Sequence, residues 1–259
     1  MMRDDRAVNE VVGFVLVFSM VLTTVSLVYA AGFTGLDSTR DVERVNNAER
    51  AFDVLANNFQ QMGRGEAPNR ATEIKLADAQ LTTTANRNVT VNASGMNATG
   101  ADSTAIRYDT TGDTNIVYEH GAVIRNDSDS AVMRREPDFI FEDDNVVVRF
   151  IELEGSDQGV GGSVSTVLVR AERDTSKVLV NNGSSPSNIS IRMRTHEDRA
   201  QVWEDYYEEQ IAAANSSWSG DCDDRNSSVG GSDTTQIRCD PFGADKLAVS
   251  KVKIQVTLT

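Results

Sequence analysis

An uncharged, apolar stretch close to the N-terminus, residues 11–31, restricts the fold of this chain more than any other feature. At about 1.5 Å per residue, roughly 21 residues form a helix of about 30 Å, the thickness of the hydrocarbon core of a bilayer. The pattern therefore predicts a membrane-spanning helix. A cleaved signal peptide is the alternative, with Tyr29-Ala30-Ala31-Gly32 as its small-residue cleavage site. The length of the stretch favours an uncleaved helix.

The basic residues that flank this stretch indicate its orientation. Arg3 and Arg6 precede it, and the first basic residue after it is Arg40. Because Lys and Arg concentrate on the cytoplasmic side of membrane proteins, we expect a cytoplasmic N-terminus. The chain beyond about Gly32 would then lie outside the cell, anchored by a single pass through the cell membrane.

The residues in front of the apolar stretch resemble a known family. Asp5-Arg6-Ala7-Val8-Asn9-Glu10-Val11-Val12-Gly13 is similar to the start of archaeal type IV pilins and pilin-like proteins of halophiles. Those proteins have a short charged leader, a small residue at the cleavage site and commonly Val-Ser-Pro-Val-Ile-Gly before an apolar helix. Here Asn9-Glu10 stands in place of Ser-Pro.

The resemblance implies both processing and assembly. A prepilin peptidase would cleave between Ala7 and Val8, and the apolar helix would remain in the mature protein. The helices of pilin-like subunits would then bundle in a filament core, where Glu10 could meet the freed amino group of Val8 on a neighbouring subunit. The membrane, other pilin-like subunits and the peptidase are the implied partners.

The charge of the chain excludes one class of partner. Lys and Arg number 25 against 39 Asp and Glu, a net charge of -14. Such a surface repels phosphate, so we expect no nucleic-acid partner. Surplus acid with few lysines is typical of proteins from high-salt surroundings, where screening weakens self-repulsion. A surface protein that is merely acidic is the alternative.

Two types of modification are expected if the chain is exported. Cys222 and Cys239 are the only cysteines, and outside the cell they would form a disulfide. Asn-x-Ser/Thr sequons all follow the apolar stretch and are possible glycan acceptors. These sequons begin at Asn88, Asn92, Asn97, Asn126, Asn182, Asn188, Asn215 and Asn226.

The chain divides into a helical N-terminal quarter and a strand-rich remainder. We assign residues 1–7 to an unstructured leader, 8–36 to the transmembrane helix and 37–63 to an amphipathic helix that continues from it. The apolar seam of the amphipathic helix has helical spacing and contains Val45, Ala48, Phe52, Leu55, Phe59 and Met62. Gly32 and Gly35 are expected to weaken the helix between its two halves.

Residues 64–259 show short alternating apolar segments separated by turn residues, which predict antiparallel strands. One helix is inserted at about residues 196–214, and residues 215–240 form a flexible stretch around the disulfide loop at 222–239. The fold class is therefore α+β, with a long N-terminal transmembrane and amphipathic helix before an antiparallel β-rich extracellular domain. Whether its strands form one sheet or two is left open.

No arrangement of residues predicts an enzyme, a cofactor or a metal site. His196, Glu197 and Asp198 match no ligand motif and are typical of a solvated helix start. Asp221, Asp223, Asp224 and Asp240 surround the cysteines and could hold calcium, but Arg225 replaces an oxygen ligand and an acidic loop is favoured. The aromatic group Trp203, Tyr206, Tyr207 and Trp218 is either core or an exposed binding patch.

We interpret the chain as a structural, pilin-like subunit, minor or specialised because its exported part is large. A single-pass surface protein that binds a ligand or an envelope partner without polymerising is the alternative. A secreted enzyme with a cleaved signal peptide is a third class, for which we find no catalytic group.

Overall fold

The computed structural model describes the backbone of residues 4–94, 99–128, 130–142, 144–163, 165–182, 186, 188–224 and 234–259. It describes the side chains of the same residues except 4–9, 33–38, 85–87, 182 and 224.

The N-terminal quarter is one helix, α1 (Asp4–Arg64), of 61 residues. The predicted helices at 8–36 and 37–63 are thus continuous. One expectation was wrong: residues 4–7, expected to be unstructured, are helical. The helix continues through Gly32 and Gly35, and the expected weakening there stays a prediction. A glycine costs a helix only about 1 kcal/mol, which long helical flanks offset.

The C-terminus of α1 is a Schellman-type cap. Gly65 has a φ of 83°, a left-handed conformation that favours glycine. The amide of Gly65 donates to the carbonyl of Met62, and the amide of Glu66 donates to the carbonyl of Gln61. These two bonds satisfy carbonyls that the end of a helix would otherwise leave unpaired.

Strands and one further helix make up most of the remaining chain. In chain order they are β1 (Asn69–Leu76), β2 (Ala79–Asn92), β3 (Thr99–Thr110), β4 (Thr114–Glu119), β5 (Ala122–Asp127), β6 (Ser130–Arg135), β7 (Phe139–Glu142), β8 (Asn145–Glu154), β9 (Gln158–Gly162), β10 (Ser165–Asn182), β11 (Ser190–His196), a 3-10 turn (Glu197–Arg199), α2 (Ala200–Ala214), β12 (Cys222–Asp224), β13 (Thr234–Cys239) and β14 (Lys246–Leu258).

The strands form two sheets, which answers the question that the sequence left open. A five-stranded sheet has the order β1-β10-β14-β8-β7. A nine-stranded sheet has the order β12-β13-β11-β2-β3-β4-β5-β6, with β9 paired to β2. All described pairs are antiparallel except β8 with β14, so the expected antiparallel β-rich domain is confirmed with one parallel pair.

One expectation for this domain was wrong. The alternating apolar segments 164–171 and 178–180, whose pattern predicts two separate strands, belong from Ser165 on to one strand, β10, which passes through register shifts at Arg173/Thr175 and Val178/Val180. A β-bulge lets a strand bend without ending, and no local pattern marks it. The stretch 215–240, predicted to be flexible, contains β12 and β13, which the disulfide joins.

The buried apolar side chains form two clusters. The first, which we call the α1 core, gathers around the C-terminal half of α1 and takes its members from both sheets. It includes Phe52 and Phe59 of α1, Tyr108 and Tyr118 of the nine-stranded sheet, and Ile254 of the five-stranded sheet. The rings of Phe59 and Tyr118 meet edge to face, with centroids 4.9 Å apart.

The second cluster, the α2 core, gathers around α2. Trp203 and Tyr207 of α2 stack with ring centroids 5.7 Å apart, and both are buried. Phe141 of β7, Met193 of β11 and the disulfide between Cys222 and Cys239 belong to the same cluster. Several strands, including β2, β3, β8 and β14, contribute to both cores along their length.

A buried carboxylate joins the two sheets where β3 passes β8. Glu152 is 4% exposed and accepts the amide of Asp102, at 3.1 Å, and the ammonium of Lys251, at 3.0 Å. Burial would raise the pKa of Glu152, but bonds from Lys253, Lys251 and the Asp102 amide hold it below its usual value. The hydroxyl of Ser103 accepts the amide of Leu153 alongside, at 2.9 Å.

Candidate functional site

The apolar half of α1 has the length and composition of a membrane span. Within the described residues, Glu10–Gly32 is the one helical segment of 23 residues that is apolar enough to cross a bilayer, and none of it is buried in the fold. Phe14, Leu16, Met20, Leu27 and Val28 each have at least 66% of their surface exposed. By length and composition, this segment could be a membrane anchor.

Hydroxyl groups inside this apolar segment are bonded to the helix itself. Thr23 donates to the carbonyl of Ser19 at 2.7 Å, and Thr24 donates to the carbonyl of Val21 at 2.9 Å. A hydroxyl that bonds to the preceding turn does not need water, so these residues do not oppose burial in lipid or among helices.

The C-terminal part of α1, from Asn47 on, belongs to the same compact unit as the β strands. The seam predicted from the sequence is confirmed, because Val45, Ala48, Phe52, Leu55, Phe59 and Met62 are all buried. Ala56 is buried as well, which widens the seam to the face that a globular core needs.

Ion pairs hold the flank of this half of α1 against strands β5 and β6. Glu49, whose side chain is 12% exposed, accepts Arg125 at 2.9 Å and Arg134 at 3.3 Å. Arg135 donates to the side-chain oxygen of Gln60 at 2.9 Å. The helix is therefore fixed to the domain by polar contacts at its edge as well as by its apolar seam.

A second ion pair lies at the C-terminal end of α1. Asp138, just before β7, accepts Arg64 of α1 at 3.1 Å and Arg149 of β8. Burial would raise the pKa of Asp138, but the hydrogen bond from Arg64 and the charges of both guanidinium groups lower it. One carboxylate thus ties the last turn of the helix to both strands of the β7–β8 hairpin.

The predicted processing and assembly residues all lie on α1. Ala7 and Val8 are within its first two turns, and their side chains lie outside the described set. Glu10, at the start of the apolar segment, is exposed. Cleavage at Ala7-Val8 and the assembly role of Glu10 stay predictions.

The expected disulfide is present between Cys222 and Cys239, which are 17 residues apart. The two cysteines are direct register partners on β12 and β13. Both are buried in the α2 core, at 4% and 0% exposure.

Five of the eight sequons have an asparagine side chain that the structure describes, and these five differ in accessibility. Asn92 and Asn188 are exposed and Asn88 is half-buried, whereas Asn126 is buried and donates to Asn115 at 3.1 Å. The amide of Asn188 donates to Ser94, and that of Asn215 donates to the carbonyl of Gly243. Asn97, Asn226 and the side chain of Asn182 lie outside the described residues. The burial of Asn126 disfavours a glycan there, and occupancy of the other sequons stays a prediction.

Two further groups singled out in the sequence are the aromatic residues around α2 and the aspartates near the disulfide. Trp203, Tyr206 and Tyr207 are buried, and the partly buried Trp218 packs against the α2 core, so the aromatic group is core rather than an exposed patch. Asp221 is exposed, and Asp223 and Asp240 are half-buried. Within the described part of the chain, no group of three or more His, Cys, Asp or Glu side chains is arranged to hold a metal ion.

A buried ion pair in the α2 core was not anticipated from the sequence. Glu119, at the end of β4, is fully buried and accepts Arg199 at 3.1 Å, Trp203 at 2.8 Å and the hydroxyl of Thr195. Burial would raise the pKa of Glu119, but the charge of Arg199, its hydrogen bond and the charge of His120 lower it to about 2. Thr195, the last residue but one of β11, thus binds the same carboxylate as the 3-10 turn and α2 do.

Comparison with known proteins gives one family. The model of a family of unknown function (DUF7289) matches residues 6–257. No curated protein matches, and no solved structure matches. The match begins before the apolar segment, so that segment lies within the extent of the family.

Proposed function

The chain belongs to DUF7289, a family of unknown function, and we propose that it is a pilin-like structural subunit of an archaeal type IV pilus-like surface filament. In this role it is a minor or specialised subunit that a prepilin peptidase processes between Ala7 and Val8. The observation that carries the proposal is α1 itself. One unbroken helix has an exposed apolar half and a half built into the α1 core.

The apolar half must be covered, because 23 residues of exposed apolar helix are not stable in water. Only lipid or other apolar helices can cover it on all sides. A subunit that moves from the membrane into a helical bundle exchanges one apolar environment for another with little change in exposed apolar area. The hydroxyl bonds of Thr23 and Thr24 to their own helix are compatible with both environments.

The C-terminal half of α1 is attached to the β strands by buried side chains and ion pairs, as the proposal requires. Phe52 and Phe59 are fully buried, and Glu49 and Asp138 together bind arginines from three strands and from α1. These contacts attach the C-terminal part of α1 to the strands around it.

Glu10 provides the test of assembly. A carboxylate at the start of an apolar segment is costly in lipid or in a bundle unless it is paired. In the proposal, cleavage frees the amino group of Val8, and Glu10 of a neighbouring subunit pairs with it.

The alternative is a single-pass surface protein that does not polymerise. It shares the anchored helix and the β domain with the proposed filament subunit. They differ in two observable properties: the residue at which the mature chain begins, and whether the protein is recovered in filaments.

The first experiment is mass spectrometry of the mature N-terminus in the native membrane fraction and in the filaments sheared from cells. We expect Val8 as the first residue in both fractions. A mature chain that begins at Met1 or Met2 would support the non-polymerising alternative. One that begins near Gly32 would contradict both, because the helix would be lost.

The second experiment is the substitution Glu10→Gln, with Glu43→Gln as its matched control. Glu43 is an exposed glutamate on the same helix but beyond the apolar segment. We expect Glu10→Gln to reduce the protein in the sheared fraction by about tenfold or more while the membrane level is kept, and Glu43→Gln to change neither. Equal recovery of the two variants would contradict the assembly role of Glu10.

A further inference from the structure

An open pocket of about 620 Å³ lies where the β3–β4 turn, the β5–β6 turn and the 3-10 turn before α2 come together. We call it the polar pocket. Six of the residues that the structure describes line it, and every one of these carries a side-chain oxygen: Asp113, Asn115, Asn126, Ser128, Ser130 and Asp198. No basic or apolar side chain is among them, so the lining is rich in hydrogen-bond acceptors and negatively charged.

Asn126 adds a second, independent observation. Its side chain is 6% exposed, and its amide nitrogen donates to Oδ1 of Asn115, its direct partner across β4 and β5. Its own Oδ1 is buried and has no hydrogen-bond partner in the described chain. A buried carbonyl oxygen without a donor costs about 1–3 kcal/mol, so this acceptor favours a ligand that would satisfy it.

The two turns that carry the carboxylate and hydroxyl ligands are already tied together. The amide of Ser128 donates to the carbonyl of Asp113 at 3.3 Å, and its hydroxyl donates to the carboxylate of Asp113 at 3.4 Å. Asp198 approaches from the 3-10 turn, where its Oδ2 is 3.2 Å from Nδ1 of His196. The lining is therefore held on defined backbone segments from three parts of the chain.

We propose that the polar pocket is a calcium site. Calcium takes six to eight oxygen ligands from carboxylates, amide carbonyls, hydroxyls and water, in flexible geometry. Asp113 and Asp198 supply two carboxylates, Asn115 and Asn126 supply amide oxygens, and water completes the shell in a pocket this open. Magnesium is a poorer match, because it requires near-ideal octahedral geometry and gives up its own water reluctantly.

With two carboxylates among mostly neutral ligands, the site is expected to be weak. Sites of this type in extracellular modules have dissociation constants of about 10⁻⁴–10⁻³ M. Bound calcium would join the ends of β4, β5 and β6 to the start of α2. This inference does not depend on filament assembly.

The test is isothermal titration of the full chain in detergent with CaCl₂ at constant ionic strength, with MgCl₂ in parallel. We expect saturable calcium binding that Asp113→Asn and Asp198→Asn each weaken by about tenfold or more. Asp174→Asn is the matched control, because Asp174 is exposed on β10 of the other sheet. It should leave the affinity unchanged.

A gain-of-function variant keeps the proposal testable if the loss variants fold poorly. Asn126→Asp places a carboxylate at the buried acceptor. We expect it to lower the melting temperature without calcium, because it buries an unpaired charge, and to bind calcium at least as tightly as the natural chain. Its melting temperature should rise with added calcium by more than that of the natural chain.

Three results would overturn the proposal. The first is the absence of saturable calcium binding by the natural chain. The second is binding that Asp113→Asn and Asp198→Asn leave unchanged. The third is binding that only Asp223→Asn weakens, because this would place the ion at the acidic loop around the disulfide.

Discussion

The two cores of the β domain use charge in opposite ways. In the α1 core, carboxylates lie at the rim: Glu49 and Asp138 keep 12% and 13% of their side-chain surface exposed, and their arginine partners keep 30% or more. In the α2 core, Glu119 and Arg199 lie inside, with side chains 0% and 3% exposed. The same residue types therefore contribute different amounts of stability, because solvent screens the first set and not the second.

The difference follows from the elements that each core must hold. Helix α1 has a complete apolar seam, so apolar packing alone can hold it in its core. The arginines add ion pairs only at the edge of the helix. Helix α2 begins after a 3-10 turn that lies against the β4–β5 turn, where His120 and Gly121 have φ values of 50° and 96°. Glu119 binds Arg199, Thr195 and Trp203 there, so one carboxylate fixes the end of β11, the 3-10 turn and α2.

The largest expected effect is that of Glu119→Gln. The substitution keeps the shape of the side chain but leaves the Arg199 guanidinium buried without an opposite charge. We expect a loss of about 3–5 kcal/mol in the free energy of unfolding. The measurement is urea unfolding of the full chain in detergent, followed by tryptophan fluorescence, because Trp203 is buried in the α2 core.

A double variant sharpens this test. Arg199→Met removes the charge that Glu119→Gln leaves unpaired, so the double variant should lose less than the sum of the two single losses. If the two losses simply add, the ion pair is not the source of the effect, and the contrast between the cores would have to rest on packing alone.

The second effect is the pH dependence of this pair. The pKa of Glu119 is lowered in the fold to about 2 from an ordinary value of 4.5. Its contribution, about 3 kcal/mol, is therefore present above about pH 4.5 and is lost as the pH falls towards 2. The difference in unfolding free energy between the natural chain and Glu119→Gln should shrink over that range.

Unfolding curves at several pH values between 6 and 2.5 check this expectation. Because Asp138 and Glu152 also have lowered pKa values, both chains lose stability in acid, and only the difference between them isolates Glu119. A difference that stays constant throughout this range would contradict the assignment.

The sequence predicted the α1 core much better than the α2 core. The seam from Val45 to Met62 repeats at three and four residues, so local periodicity alone identifies the buried face. Nothing local marks Glu119, because its partners Thr195, Arg199 and Trp203 are between 76 and 84 residues away in the sequence. A glutamate at the end of a strand is usually solvent-exposed.

The residues that line the polar pocket were also not predictable from the sequence, because the fold brings them together from distant positions. Asn126 is recognisable in the sequence as a sequon, which is a local pattern, but nothing local indicates that it is buried. Its neighbour Asn115 is a cross-strand partner, and Asp198 comes from a turn more than seventy residues later. The apolar segment, the helix seam and the disulfide are local or compositional features and were predictable, whereas the ligand set of a pocket between three turns is a product of topology.

The smallest expected effect is that of Glu49→Gln in the rim of the α1 core. It is the same chemical change as Glu119→Gln, but Arg125 and Arg134 can turn to water when their partner loses its charge. We expect a loss of about 0.5–1 kcal/mol at low salt, falling towards zero at about 1 M salt, where the Debye length is roughly 3 Å. The loss at Glu119 should change little with salt, because water and ions do not reach that pair.

Arg50→Gln, an exposed position on the same helix, is the control and should change stability by less than about 0.5 kcal/mol. A salt-independent loss of about 3 kcal/mol for Glu49→Gln would mean that the ion pairs of Glu49 are as little screened by solvent as the pair of Glu119. The proposed difference between the two cores would then be wrong.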